Sequence, residues 1–158
     1  MAGVFFNWCA NHCVEERVTL HVDYIDNILD YIGTQNRAKR ITIKGDVGDR
    51  VGQFMDGGKL LIYGNVGDEL GSHMEGGKIH VYGNAGHRVG YNMFDGKIMI
   101  HGNAGHDVGY EMHGGEIRIL GGYKSIAKGY DEDNVSYATE GDIYYRGKLI
   151  FEHGRKLE

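Results

Sequence analysis

Hydrophobic residues in the middle of this chain come in short alternating bursts: Leu60-x-Ile62, Ile79-x-Val81, Ile98-x-Ile100 and Ile117-x-Ile119. Alternation with period two is the mark of a strand with one face buried, so each burst predicts a short strand. The bursts recur at a fixed interval. So do the other apolar positions, read as columns: Val51, Leu70, Val89 and Val108; Met55, Met74, Met93 and Met112; Val47, Val66, Ala85 and Ala104. Gly45, Gly64, Gly83, Gly102 and Gly121 set the period, each 19 residues after the last. A constant period near 20 points to a solenoid in which one repeat makes one turn. A helical reading fails because glycine interrupts every repeat. Stacked strands that always run the same way make a parallel β-helix, with equivalent residues about 4.8 Å apart along the axis.

The expectation is therefore an all-β, single-stranded, right-handed parallel β-helix of 19 residues per turn, about 5–6 turns long, with capped ends. Residues 1–17 are read as an N-terminal cap. Residues 18–129 are the turns, degenerate over 18–44 and regular over 45–120, and 130–158 form an exit loop and C-terminal hairpin cap. Within the degenerate part, Gly33, Ile32, Ile41 and Ile43 align with Gly52, Val51, Leu60 and Ile62. Ile25, Ile28, Leu29 and Ile32 also fit a short helix at 24–32, which stands as the alternative there. The segment DIYYRGKLIF (142–151) reads as a hairpin about Arg146-Gly147.

Composition sharpens this picture. The chain has 27 glycines and no proline among 158 residues. Each turn must bend to close, and bends need a positive φ or a missing side chain. Gly45, Gly48, Gly52, Gly64, Gly67, Gly71, Gly83, Gly86, Gly90, Gly102, Gly105 and Gly109 are assigned to such corners. At Gly86 and Gly105 a positive φ is the expected reason. Proline is excluded because interior turns use their N–H groups in the ladders above and below. Asn65, Asn84 and Asn103 should stack as an amide ladder, and Arg50, Glu69, Arg88 and Asp107 as charges of alternating sign.

Net charge is −5, with no basic stripe in the sequence of the kind that marks nucleic-acid binding, and no apolar run long enough for a membrane helix. With only two cysteines and no signal-peptide pattern at the start, a cytoplasmic location is expected. Candidate chemistry is sparse. His87 and His106 stack below Asp68, so an ion shared by the three is conceivable from spacing; solvated corner residues explain the same pattern. Cys9, His12 and Cys13 lack a fourth ligand beyond His21 and read as reduced thiols in a cap. The glycine-rich phrases have no GKS or GKT and no strand-to-helix junction, so phosphate cradling is not expected. No catalytic residue is assigned. The outward strand positions Leu61, Tyr63, His80, Tyr82, Met99 and His101 stack into one patch, an expected interface.

The phrase G-x-x-G-x-x-x-G, repeated as GDVGDRVG, GNVGDELG, GNAGHRVG and GNAGHDVG, resembles the GXGXG β-helix domain. That domain occurs as the C-subunit of formylmethanofuran dehydrogenase and at the C-terminus of the glutamate synthase large subunit. The resemblance covers residues 45–122. DNILDYIG (26–33) resembles the variant first turn of the dehydrogenase C-subunit, and GDIYYRGKLIF its terminal strand segment, so that family is the closer likeness. The resemblance implies a non-catalytic scaffold with no cofactor of its own. Pterin-bound molybdenum or tungsten and iron-sulfur centres would belong to partner subunits. Its partners would be other enzyme subunits of a redox or one-carbon complex, or further copies of itself, without nucleic acid or membrane. Two alternatives stand beside it. One is a stand-alone glutamate synthase-type domain serving amidotransfer; the other is a self-associating β-helix, with or without bound metal, that has no enzyme partner.

Overall fold

The computed structural model describes residues 17–22, 29–36, 40–127, 141–152 and 155–157. Among the described residues nine strands lie in one sheet whose spatial order follows the chain. They are β1 (Arg17–His21), β2 (Arg40–Lys44), β3 (Asp56–Tyr63), β4 (Gly76–Val81), β5 (Lys97–Ile100), β6 (Glu116–Ile119), β7 (Asp142–Tyr145), β8 (Lys148–Glu152) and β9 (Arg155–Lys156). β1 through β7 pair in parallel; β8 and β9 pair antiparallel and end the sheet. The result is a β-solenoid of about 5 turns. No helix long and apolar enough to cross a membrane occurs among the described residues.

The register is the one the period dictates. Ile41, Leu60, Ile79, Ile98 and Ile117 pair in series, and Ile143 extends the series onto β7. The first coil, from Val18 to Ile41, and the last, from Ile117 to Ile143, are longer than the regular repeat. Strand β7, which ends the last coil, is both a rung of the parallel sheet and the first arm of the expected hairpin. The other two sides of each turn carry only isolated bridges, such as Val47–Val66 and Val108–Ile126. Residues 29–36 form a turn, not a helix, with Tyr31 and Gln35 at positive φ like Arg50 and Phe54 one coil later. Residues 23–28, and with them the rest of the helical alternative, lie outside the described residues, as do Cys9, His12 and Cys13.

All the expected core columns face inward. Val51, Leu70, Val89 and Val108 are fully buried, as are Met55, Met74 and Met93. The glycines reveal how successive turns interlock. A Cβ at Gly52, Gly71 or Gly90 would lie 2.6 Å from the Cδ1 of Ile79, Ile98 or Ile117, the strand isoleucine of the following turn. A Cβ at Gly77, Gly96 or Gly115 would lie 2.7 Å from the Cε of Met55, Met74 or Met93 in the preceding turn. These glycines have positive φ as well, so steric room and backbone conformation select the same residue.

One part of the corner assignment needs correction. Gly64, Gly67, Gly83, Gly86, Gly102 and Gly105 are absent from the positive-φ set; Gly48 is too, whereas Gly45, Gly52, Gly71, Gly90 and Gly109 belong to it. Close approach, not φ, requires glycine at Gly86 and Gly105. A Cβ on Gly86 would press on Asp68 Oδ1 and come within 2.8 Å of the Gly67 carbonyl; one on Gly105 would lie 2.7 Å from the Gly86 oxygen. Conversely, the left-handed positions at the sixth and tenth places of each turn hold non-glycine residues: Arg50, Glu69, Arg88 and Asp107, then Phe54, His73, Asn92 and Glu111.

Candidate functional site

Three surfaces of the coil present columns of polar or aromatic side chains. The first is a polar edge built from the second, fifth and sixth places of each turn. The asparagine ladder is present. Asn65 Oδ1 accepts the Asn84 backbone N–H at 2.9 Å and the Asn84 side-chain amide at 3.0 Å, and Asn84 Oδ1 accepts the Asn103 N–H at 2.8 Å. The fifth place works the same way. Asp49 Oδ1 accepts the Asp68 N–H, Asp68 Oδ1 accepts the His87 N–H, and His87 Nδ1 accepts the His106 N–H at 2.9 Å. These side chains satisfy the backbone of the next turn where no strand ladder does.

That role bears on the ion site that spacing alone left open beside the reading of His87 and His106 as solvated corner residues. The His87 and His106 rings do stack, with centroids 5.2 Å apart. Yet His87 Nδ1 and Asp68 Oδ1 are occupied by backbone donors, and no group of three or more His, Cys, Asp or Glu among the described residues is placed to hold a metal ion. At the sixth place, Arg50 binds Glu69 at 2.8 Å and Glu69 faces Arg88 at 3.9 Å. Glu69 and Tyr31 together hold the Arg50 guanidinium above its ordinary pKa. The alternating stack stops there: Asp107 turns to Ser125, while Arg88 lies over the Tyr110 ring. Asp68, Glu69, His87, Arg88 and Asp107 line a shallow depression of about 360 Å³.

The second surface was missed in the sequence. Phe54, His73, Tyr91 and Tyr110 form a chain of ring contacts at one corner, with centroids 4.9 to 5.8 Å apart, and Phe94 stacks on His113. Phe54 and Phe94 are exposed. Burial, followed by Glu111, raises the Tyr91 phenol above its usual value. Reading the ninth, tenth and twelfth places as columns would have found it.

The third surface is the outward face of the sheet, and it brings the expected patch together. Tyr63 and Tyr82 stack face to face, 4.4 Å apart and 4° from parallel, and His101 continues the stack 4.7 Å beyond. Tyr63 is 49% and Tyr82 43% exposed, so in-register stacking has not hidden them. A side-chain hydrogen bond with Tyr63 raises the Tyr82 phenol. Two places back along the strands, Leu61, His80 and Met99 are half-buried and pair in register, Leu61 with His80 and His80 with Met99. Burial first, then Lys59, His101 and Lys78, push the His80 imidazole below its ordinary pKa. Leu120 extends the tyrosine column and is exposed. Arg118 follows Met99 in the neighbouring column, pairs with Glu116 and lies 4.7 Å over the Tyr144 ring.

The same face holds a feature that the summed net charge conceals. Arg17, Arg40, Lys59, Lys78 and Lys97 pair strand to strand in one straight column, followed by Glu116. A basic stripe is thus present after all, assembled by stacking residues that stand one coil apart in the sequence. Comparison of the chain with protein-family models, with curated proteins and with solved structures finds no match.

Proposed function

We propose that this chain is a non-catalytic scaffold that docks larger enzyme subunits through the outward face of its sheet, in the manner of the C-subunit of formylmethanofuran dehydrogenase. The observation that carries the reading is the continuous outward stack of Tyr63, Tyr82 and His101 beside Leu61, His80 and Met99. Tyrosine and methionine are favoured at protein interfaces, and these occupy neighbouring rungs rather than scattered positions. The polar columns of the first surface are engaged in holding successive turns together, which suits a rigid support better than a reaction centre. The four G-x-x-G-x-x-x-G phrases support the choice of family. On this reading redox and pterin centres belong to the partner subunits, and the complex is cytoplasmic.

Co-purification from the native host tests this. Tyr63→Ala with Tyr82→Ala should release the partner subunits while leaving the melting temperature within a few degrees, because both rings are largely exposed. Partners retained at wild-type level by the double variant would refute docking through this face.

A further inference from the structure

In the span Arg40–Lys44 and its equivalents on β1 and β3 to β5, the outward positions carry Arg17, Arg40, Lys44, Lys59, Lys78 and Lys97 but no carboxylate. The chain as a whole is acidic, at −5, yet these rungs of the outward face carry no acid. Acids such as Asp46, Asp49, Asp68 and Glu69 lie on the polar edge instead. Like charges directly opposite one another weaken a sheet, and this column repeats the conflict rung after rung at about 4.8 Å. Lys97 is relieved by Glu116 at 3.1 Å. Lys59 and Lys78 have no ion pair among the described residues.

We infer that the face binds an acidic partner polypeptide, one that sets carboxylates against the Arg40–Lys97 column and apolar side chains against Leu61, Met99 and the tyrosines. The inference deepens the docking reading and rests on it for the claim that this face is an interface. Carboxylates carried on successive strands of a partner would match the pitch of the column. A single-stranded nucleic acid is the competing polyanion, and the rings argue against it. Base stacking needs a free aromatic face. Here Tyr82 is covered by Tyr63 on one side and His101 on the other, leaving ring edges outward. Those edges carry the positive part of the ring quadrupole, adding to the electropositive field that the lysines create. The apolar strip of Leu61 and Met99 would likewise have no counterpart in a phosphate backbone.

The full chain is titrated with labelled poly-L-glutamate and, separately, with a labelled single-stranded DNA oligonucleotide of equal charge, following fluorescence anisotropy at low and moderate salt. Polyglutamate should bind with an affinity that falls as salt rises, and more tightly than the DNA. Lys78→Glu should weaken polyglutamate at least tenfold while raising the denaturation midpoint, since it gives the column alternating signs between Lys59 and Lys97. Lys124→Glu, an equal change of net charge on an exposed residue elsewhere, should change binding less than twofold. Equal losses in the two variants, preference for DNA, or no binding to polyglutamate would each overturn the inference. So would salt-sensitive self-association in sedimentation that Lys78→Glu abolishes, because the occupant would then be a second copy. Partners released by the tyrosine double variant but untouched by Lys78→Glu would leave the docking reading standing and remove only the acidic partner.

Discussion

Truncating Met93 to alanine probes the interlocking of turns most directly. Met93 is fully buried, and its Cε lies over Gly115 of the next turn so closely that no Cβ would fit between them. The substitution removes about three methylene-sized groups from the core. At about 0.8 kcal/mol for each buried group, the lost transfer energy is about 2.4 kcal/mol. Partial collapse leaves a cavity of roughly 20–40 Å³, which adds about 0.5–1 kcal/mol. The expected cost is therefore about 3 kcal/mol, a fall in melting temperature of roughly 6–12 °C for a chain of this size. Met99 is the internal control. It lies on an outward strand position of β5, half-buried beside His80, and its truncation should cost under about 1 kcal/mol. Urea denaturation followed by circular dichroism and by tyrosine fluorescence measures both, with coincidence of the two probes checking that the solenoid unfolds as a unit. Equal costs at Met93 and Met99 would show that the inside and outside of the coil have been exchanged, and the surface columns would fall with them.

Two further predictions address the corners and the charged face. Gly86→Ala should cost about 2–3 kcal/mol through collision with Asp68 and the Gly67 backbone, whereas Gly147→Ala, with positive φ but open space around it, should cost about 1 kcal/mol; denaturation midpoints in the reverse order would refute close approach as the reason for Gly86. Because His80 binds its proton less readily in the folded chain, stability rises with pH between its lowered pKa and the ordinary histidine value, is fully gained above that value, and is lost again as pH falls. Lys59→Gln should move the His80 titration, followed by NMR, upward but short of the ordinary value, since burial is the larger cause. A titration that stays put or moves downward would mean the lysine column does not act on this face.

Much of this molecule was legible because one number, the period, orders everything that depends on stacking. Columns such as Val51–Val108 and Asn65–Asn103 could be read without coordinates, since equivalent residues in a parallel coil must lie above one another. What escaped depended on geometry within a turn. Glu69 and His73 adopt positive φ although neither is glycine, because the coil's curvature and the hydrogen bonds from Glu69 N–H to His87 and from His73 N–H to Tyr91 impose it. Gly86 looked like a conformational need and is a spatial one. The basic column was legible for the most part, since Arg40, Lys59, Lys78 and Lys97 stand 19 residues apart; only Arg17, in the longer first coil, joins it through sheet register rather than by the period. Phe54 and Phe94 stand at different places in their turns, so no single column announced that corner.

The glycine seats give the coil a direction in time as well as in space. Gly52 is filled by Ile79, Gly90 by Ile117, and Met93 finds its cover at Gly115, always from the turn that follows. A nascent chain leaving the ribosome therefore cannot finish any coil until the next one has emerged. The last regular coil waits longest: a Cβ at Gly109 would lie 2.8 Å from Ile143 Cδ1, and one at Gly141 would collide with Met112. A chain cut before those residues would leave Met112 and the seat at Gly109 uncovered, so the strand at 142–145 closes the end of the stack.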